Sequence, residues 1–288
     1  MSGELIDVGD DVQIWASIDG DGPTVLLSAG LGMPAQTWTF SGLPDALVAA
    51  GFRVVTYSAR GVAPSSAPPA PYSVHDIAAD AAEVLDHFGV NEAIVVGYSM
   101  GCYISQALFD VWGGTVRGLA MVGGLRSSTI GMVVNEMELE LIEKLGDVPG
   151  SVSLFEQLMT IPSAAILRDD AQVANWRGML AASGENVWTT VDGRRGQTRA
   201  SYDWMRLGEP TVERLADISC PTLVVSFGDD LFFPFAGSQE AASHIPDAHW
   251  LLVDGVGHGG LIFDPERRAT NAVTAFCRDL SATLPVET

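Results

Sequence analysis

Gly97-Tyr98-Ser99-Met100-Gly101 lies between an apolar run at residues 93–96 and a helical pattern at residues 102–112. A serine on so sharp a strand-to-helix turn is forced out of the sheet, with its hydroxyl exposed at the helix N-terminus. Glycines must flank it, because a Cβ on either side would clash in the turn. The competing reading is a glycine-rich turn with an incidental serine, and the strand before it and helix after it count against that. Ser99 is therefore the candidate nucleophile.

Working outward, residues 25–29, 53–57, 93–97 and 116–122 read as buried strands, with helical patterns between them, which implies β-α-β units and a parallel sheet. Between two of these strands, Ser73 and Asp76 form a capping box. Ile77, Ala81, Val84, Leu85 and Phe88 then share one helical face until Gly89. The alternation breaks after Gly123-Gly124, where a helix-like stretch rich in Met and Trp follows, and resumes near Thr211. Residues 220–227 read as another buried strand, 249–253 as one more, and 265–280 as a closing helix with Pro265 in its first turn. Residues 12–18 fit an antiparallel edge strand. This predicts an α/β core from residues 1–124 and 209–288 with an insertion at 125–208, hinged on Gly123, Gly124 and Gly208.

A serine hydroxyl needs an adjacent base to become a nucleophile. Of the five histidines, His75 and His87 fall on or beside the capped helix, His244 ends a helical stretch and His249 opens a strand. These four read as surface or packing residues. His258 alone sits in a glycine-rich turn, Gly255-Val256-Gly257-His258-Gly259-Gly260, beyond the last strand, from which its ring can reach back to the serine. A histidine base needs an orienting carboxylate. The turn Gly228-Asp229-Asp230-Leu231-Phe232-Phe233-Pro234 offers two.

With serine, aspartate and histidine in that chain order, the sequence resembles the α/β-hydrolase family over nearly its whole length. The resemblance implies a mostly parallel central sheet flanked by helices, with a helical cap inserted after the sixth strand. The family's proline four residues beyond the acid selects Asp230 over Asp229. It implies an oxyanion hole from the backbone N–H groups of Leu31 and Met100. Where members commonly carry His-Gly-x-Gly, this chain reads Ser28-Ala29-Gly30-Leu31-Gly32, so Ala29 replaces the histidine. A serine nucleophile argues against the dehalogenase and epoxide-hydrolase branches. It leaves esterases, lactonases, thioesterases, carbon-carbon hydrolases, perhydrolases and non-hydrolytic or ligand-binding members. Gly30-Leu31-Gly32-Met33 is similar to bacterial esterases acting on aromatic and polyketide compounds. In the cap, Trp176, Trp188 and Trp204 are candidate lining of an apolar pocket, or simply packing.

Composition narrows the partners. With 36 acidic and 15 basic side chains, the net charge of -21 disfavours nucleic acid, anionic membrane and polyanionic substrates. No apolar run approaches a bilayer span, and the start lacks a signal-peptide pattern, so a cytoplasmic location is expected. Cys102, Cys220 and Cys277 are too scattered for a disulfide framework or metal site and read as reduced core thiols. No cofactor or metal is expected; the partner is a small hydrophobic ester or lactone, and the oligomeric state is open, a homodimer included. Two stretches mimic anion sites. Gly30-x-Gly32-x-x-Ala35 with Arg60 mimics a dinucleotide fingerprint, but Pro34 interrupts the helix start and no acidic residue ends the second strand. The basic island Arg194-Arg195-Gly196-Gln197-Thr198-Arg199 reads as a solvated loop, with a carboxylate or phosphate anchor as the alternative.

Overall fold

The computed structural model describes residues 3–182 and 187–283. Eight strands form one sheet: β1 (Glu4–Asp7), β2 (Gln13–Asp19), β3 (Thr24–Ser28), β4 (Arg53–Tyr57), β5 (Glu92–Tyr98), β6 (Thr115–Val122), β7 (Thr222–Phe227) and β8 (Ala248–Val253). Their spatial order is β1-β2-β4-β3-β5-β6-β7-β8. The first two pairings are antiparallel and the rest parallel.

Side chains alternate across the pleat, so continuous apolar runs feed two cores. Leu26, Val95, Met121 and Val224 point to one side, Val25, Leu27, Ile94, Val96, Ala120 and Val225 to the other. The first core is covered by α3 (Val74–His87), α4 (Gly101–Val111), α10 (Val212–Ala216) and α11 (Phe235–Ala242). The second is covered by α1 (Trp38–Ser41), α2 (Leu43–Ala49), α12 (Gly260–Phe263) and α13 (Arg268–Thr283). The capping box opens α3: Asp76 N–H donates to Ser73 Oγ at 3.2 Å and Ser73 N–H to Asp76 Oδ2 at 2.7 Å.

Between β6 and β7 the chain forms α5 (Thr129–Leu145), α6 (Gly150–Thr160), α7 (Ala164–Leu167), α8 (Asp170–Ala182) and α9 (Val191–Arg206) before α10. Among the described residues, no helix is long and apolar enough to cross a membrane.

Four expectations change. The strand expected at the edge, β2, is covered by the short β1. The strand expected to be buried, β8, closes the other edge and is mostly half-exposed. The closing helix starts at Arg268 rather than Pro265, because Arg267 sits at φ +51°, outside helical backbone, and the Asp264 carboxylate accepts the Arg268 N–H at 2.9 Å. The basic island is helix, not solvated loop. Thr190 caps α9 by accepting the Gly193 N–H at 3.0 Å, and helical spacing turns Arg194, Gln197, Thr198 and Ser201 inward. Arg194 is 9% exposed; it pairs with Glu138 of α5 and donates to Ser153 Oγ of α6 at 2.9 Å, so its charge is already answered.

The expected hinge glycines differ in kind. A Cβ at Gly124 would fall 2.3 Å from the Ser99 carbonyl oxygen and 2.4 Å from Cys102 Sγ, so close packing demands glycine there. Gly208 has open space around it.

Candidate active site

Ser99 caps the end of β5 with φ at +56°, a left-handed conformation that costs a non-glycine residue about 1–2 kcal/mol. The turn is held by Ser99 N–H donating to the Val122 carbonyl at 3.0 Å and Cys102 N–H donating to the Ser99 carbonyl at 2.9 Å. Both flanking glycines answer a steric demand. A Cβ at Gly97 would lie 2.5 Å from the Gly101 carbonyl oxygen, and one at Gly101 would lie 2.0 Å from that of Ser28. The tight turn thus aims the serine side chain away from the sheet.

His258 reaches that side chain. Its Nε2 lies 2.9 Å from Ser99 Oγ and its Nδ1 lies 2.8 Å from Asp230 Oδ2. A carboxylate only accepts, so with Asp230 ionised Nδ1 carries the proton and Nε2 is free to accept from the serine. Asp230 is fixed by its other oxygen, Oδ1, which accepts the Phe232 and Phe233 N–H groups at 2.8 and 3.0 Å. Asp229 faces elsewhere: its Oδ2 accepts the Ala164 N–H at 2.9 Å.

The imidazole is boxed by aromatic rings that the sequence reading did not single out. Tyr98 and Phe233 stack on it with centroids 5.5 Å away, and Phe232 meets it edge-on at 5.2 Å. Tyr98 also donates its hydroxyl to the His258 carbonyl at 2.6 Å, and burial pushes that phenol well above its ordinary value, keeping it a donor. Their adjacency to Ser99 and Asp230 in the chain was the available signal. The His258 loop is tied down from above as well: His258 and Gly259 N–H groups donate to the Thr160 and Ile161 carbonyls, each at 3.1 Å. Those carbonyls belong to the C-terminal end of α6, where helical acceptors lack partners of their own.

The candidate oxyanion loop follows β3. A Cβ at Gly30 would touch Ser99 Cβ at 3.0 Å, which brings this backbone against the serine. Neither Leu31 N–H nor Met100 N–H has a hydrogen-bond partner among the described residues. The loop is supported despite Ala29. Ser28 Oγ and Tyr57 Oη are 2.9 Å apart, Ala35 N–H donates to Ser58 Oγ at 3.0 Å, and Gly32 N–H donates to Gln197 Oε1 at 3.0 Å.

The three tryptophans part company. Trp188 comes to the oxyanion loop: the segment around it bridges Val62, and its Cζ2 would lie 2.7 Å from a Cβ on Gly32. Trp204 is buried in a cluster with Met100 and Tyr103, and its ring stacks on Tyr103 at 5.7 Å. Trp176 pairs edge-on with Phe263 at 4.7 Å. Arg60 is no phosphate anchor, since its guanidinium forks onto the buried Asp80 with both bonds at 2.6 Å. The other four histidines lie outside the site: His75 meets Asp110, His87 and His244 lie near glutamates on the surface, and His249 is exposed on β8. All three cysteines are free and buried. Among the described residues, no cluster of three or more metal-ligating side chains occurs.

A family model described as "Alpha/beta hydrolase family" matches residues 25–272. "Putative non-heme bromoperoxidase BpoC" of Mycobacterium tuberculosis is 28% identical over 251 residues, 86% of this chain and 91% of the relative. "Putative carbamate hydrolase RutD" of Azorhizobium caulinodans is 29% identical over 259 residues, 90% and 92% of the two chains. The crystal structure of BpoC superposes with a TM-score of 0.78 at 25% identity, covering 93% of this chain and 96% of that one. A thermophilic esterase from Thermogutta terrifontis superposes with a TM-score of 0.76 at 21% identity, over 97% and 99%.

Proposed function

This chain belongs to the alpha/beta hydrolase family, and from that premise we propose that it is a serine hydrolase that cleaves a carboxylic ester or lactone of a hydrophobic small molecule. The observation that carries the reading is the position of His258, 2.9 Å from Ser99 Oγ on one side and 2.8 Å from Asp230 on the other.

The chemistry follows from that line. Ser99 Oγ attacks the ester carbonyl carbon while His258 Nε2 takes its proton. The resulting oxyanion accepts from the Leu31 and Met100 N–H groups, which have no competing partner among the described residues. Asp230 stabilises the imidazolium and keeps the ring in register. His258 then returns the proton to the departing alkoxide, leaving an acyl group on Ser99. In the second half-reaction His258 deprotonates a water, which attacks the acyl carbon, and collapse releases the carboxylic acid and restores Ser99 Oγ–H. The aromatic surroundings of His258 and the approach of Trp188 to the oxyanion loop support an apolar, ring-containing acyl or alcohol group.

The test is turnover of a panel of neutral aryl esters, lactones and thioesters by the wild type and by Ser99→Ala. The reading expects ester or lactone hydrolysis that Ser99→Ala lowers by several orders of magnitude, since the nucleophile acts as a unit with its base. A Ser99→Ala enzyme keeping more than about a tenth of the activity would overturn it.

A further inference from the structure

Gln197 stands on the inward face of α9, 1% exposed, and its amide spans two loops of the sheet. Its Oε1 accepts the Gly32 N–H at 3.0 Å while its Nε2 donates to the Arg60 carbonyl at 2.8 Å. One partner is a donor and the other an acceptor, so only this orientation of the amide satisfies both.

The position of Gly32 makes the contact consequential. Peptide units are planar, so pinning one atom of a unit aims the others. The unit that carries the Leu31 N–H is pinned through its other end, the Gly30 carbonyl, which accepts the Met33 N–H at 3.1 Å. The next unit, from Leu31 to Gly32, is pinned by Gln197. With consecutive units held, the Leu31 N–H has one direction left to point. Gly32 itself sits at φ +65°, a left-handed conformation that glycine adopts without steric cost.

We propose that Gln197 is a positioning residue of the oxyanion hole, through which α9 aims the Leu31 N–H, so that the hole is complete only while α9 is docked on the sheet. The proposal rests on the serine-hydrolase reading above. An oxyanion exists in the transition state and not in the bound ester, so loss of Gln197 must act on kcat and leave KM nearly unchanged.

Gln197→Met keeps the buried bulk and removes both hydrogen bonds, with Gln197→Ala as a second variant should the thioether pack poorly. Tyr72→Phe is the control: it removes the 2.8 Å bond from Tyr72 Oη to the Gly193 carbonyl, another link between α9 and the sheet region, and the long 3.5 Å one to the Arg60 carbonyl, without touching Gly32. Losing a whole oxyanion donor costs about 100- to 1000-fold, so a misaimed one should cost about 10- to 100-fold in kcat. Affinity for an aryl boronic acid, which mimics the tetrahedral adduct, should fall in parallel. KM should stay within about threefold, and Tyr72→Phe should keep kcat within about twofold. Ester turnover by the wild type that is lost in Ser99→Ala reports on the serine-hydrolase reading separately. Hydrogen exchange at the Gly32 amide needs no substrate: it should quicken in Gln197→Met and not in Tyr72→Phe. Unchanged kcat, an equal loss in Tyr72→Phe, or unaltered Gly32 exchange would each overturn the proposal.

Discussion

The two oxygens of Asp230 do different work, and that division predicts what an amide would do in its place. Oδ1 takes two backbone N–H groups, from Phe232 and Phe233, while Oδ2 faces His258 Nδ1. In Asp230→Asn the amide oxygen must stay with the two N–H donors. Its NH2 then points at Nδ1, which forces the ring proton onto Nε2, facing Ser99. That tautomer cannot accept the serine proton, and kcat should fall on the order of 10³- to 10⁴-fold. Asp229→Asn keeps an acceptor for the Ala164 N–H and should fall less than about tenfold. Steady-state kinetics on both variants check this, and a larger loss in Asp229→Asn would move the acid to that position. The family's proline spacing favoured Asp230, and the turn sets the two adjacent side chains on opposite sides, Asp230 toward His258 and Asp229 toward the Ala164 N–H.

Helices α5, α6 and α9 meet over a buried polar cluster that no local pattern announced. Glu138 accepts from Arg194 and, at 3.0 Å, from Thr198 Oγ1, while Glu156 Oε1 is buried without a hydrogen-bond partner among the described residues. Burial first, and the nearby Glu138 second, push the Glu156 carboxyl from 4.5 up to about 8, with Arg194 opposing. The sign of the linkage follows. Below the unfolded value both states are protonated and Glu156 contributes no pH dependence. As pH rises past 4.5 toward about 8 the unfolded chain ionises first, so stability is lost across that window and levels off above it. Glu156→Gln removes the titration. Its melting temperature should gain on the wild type as pH climbs from about 5 to about 8 and keep a constant lead above that. Paired thermal melts read this difference, and a lead that is constant from the start, or one that shrinks with pH, would contradict it. Strands and the capped helix were legible because their periodicity is local. The burial of Arg194 was not, because its partner stands 56 residues away and a basic island in an acidic chain reads as solvated.

Across the molecule, the segment between β6 and β7 grips the candidate site at two points. The end of α6 holds the His258 loop through the Thr160 and Ile161 carbonyls, and α9 holds the oxyanion loop through Gln197. The serine, histidine and acid candidates were readable from glycine-rich turns, whereas these long-range supports leave no trace in spacing. The net charge of -21 surrounds this assembly, and its one inward arginine on α9 is already paired with Glu138. Polyanionic thioesters should therefore be poor substrates beside matching neutral esters, with the gap narrowing as salt screens the field. Specificity constants for an acyl-coenzyme A and its neutral ester at low and high ionic strength test this, and a preference for the thioester at low salt would refute it. The central claim, that His258 activates Ser99 for covalent chemistry, is tested most directly by fluorophosphonate labelling followed by peptide mass spectrometry. The adduct is expected on Ser99 alone, with the labelling rate in His258→Ala lower by about 10³-fold or more. An adduct on another residue, or an undiminished rate in His258→Ala, would contradict it.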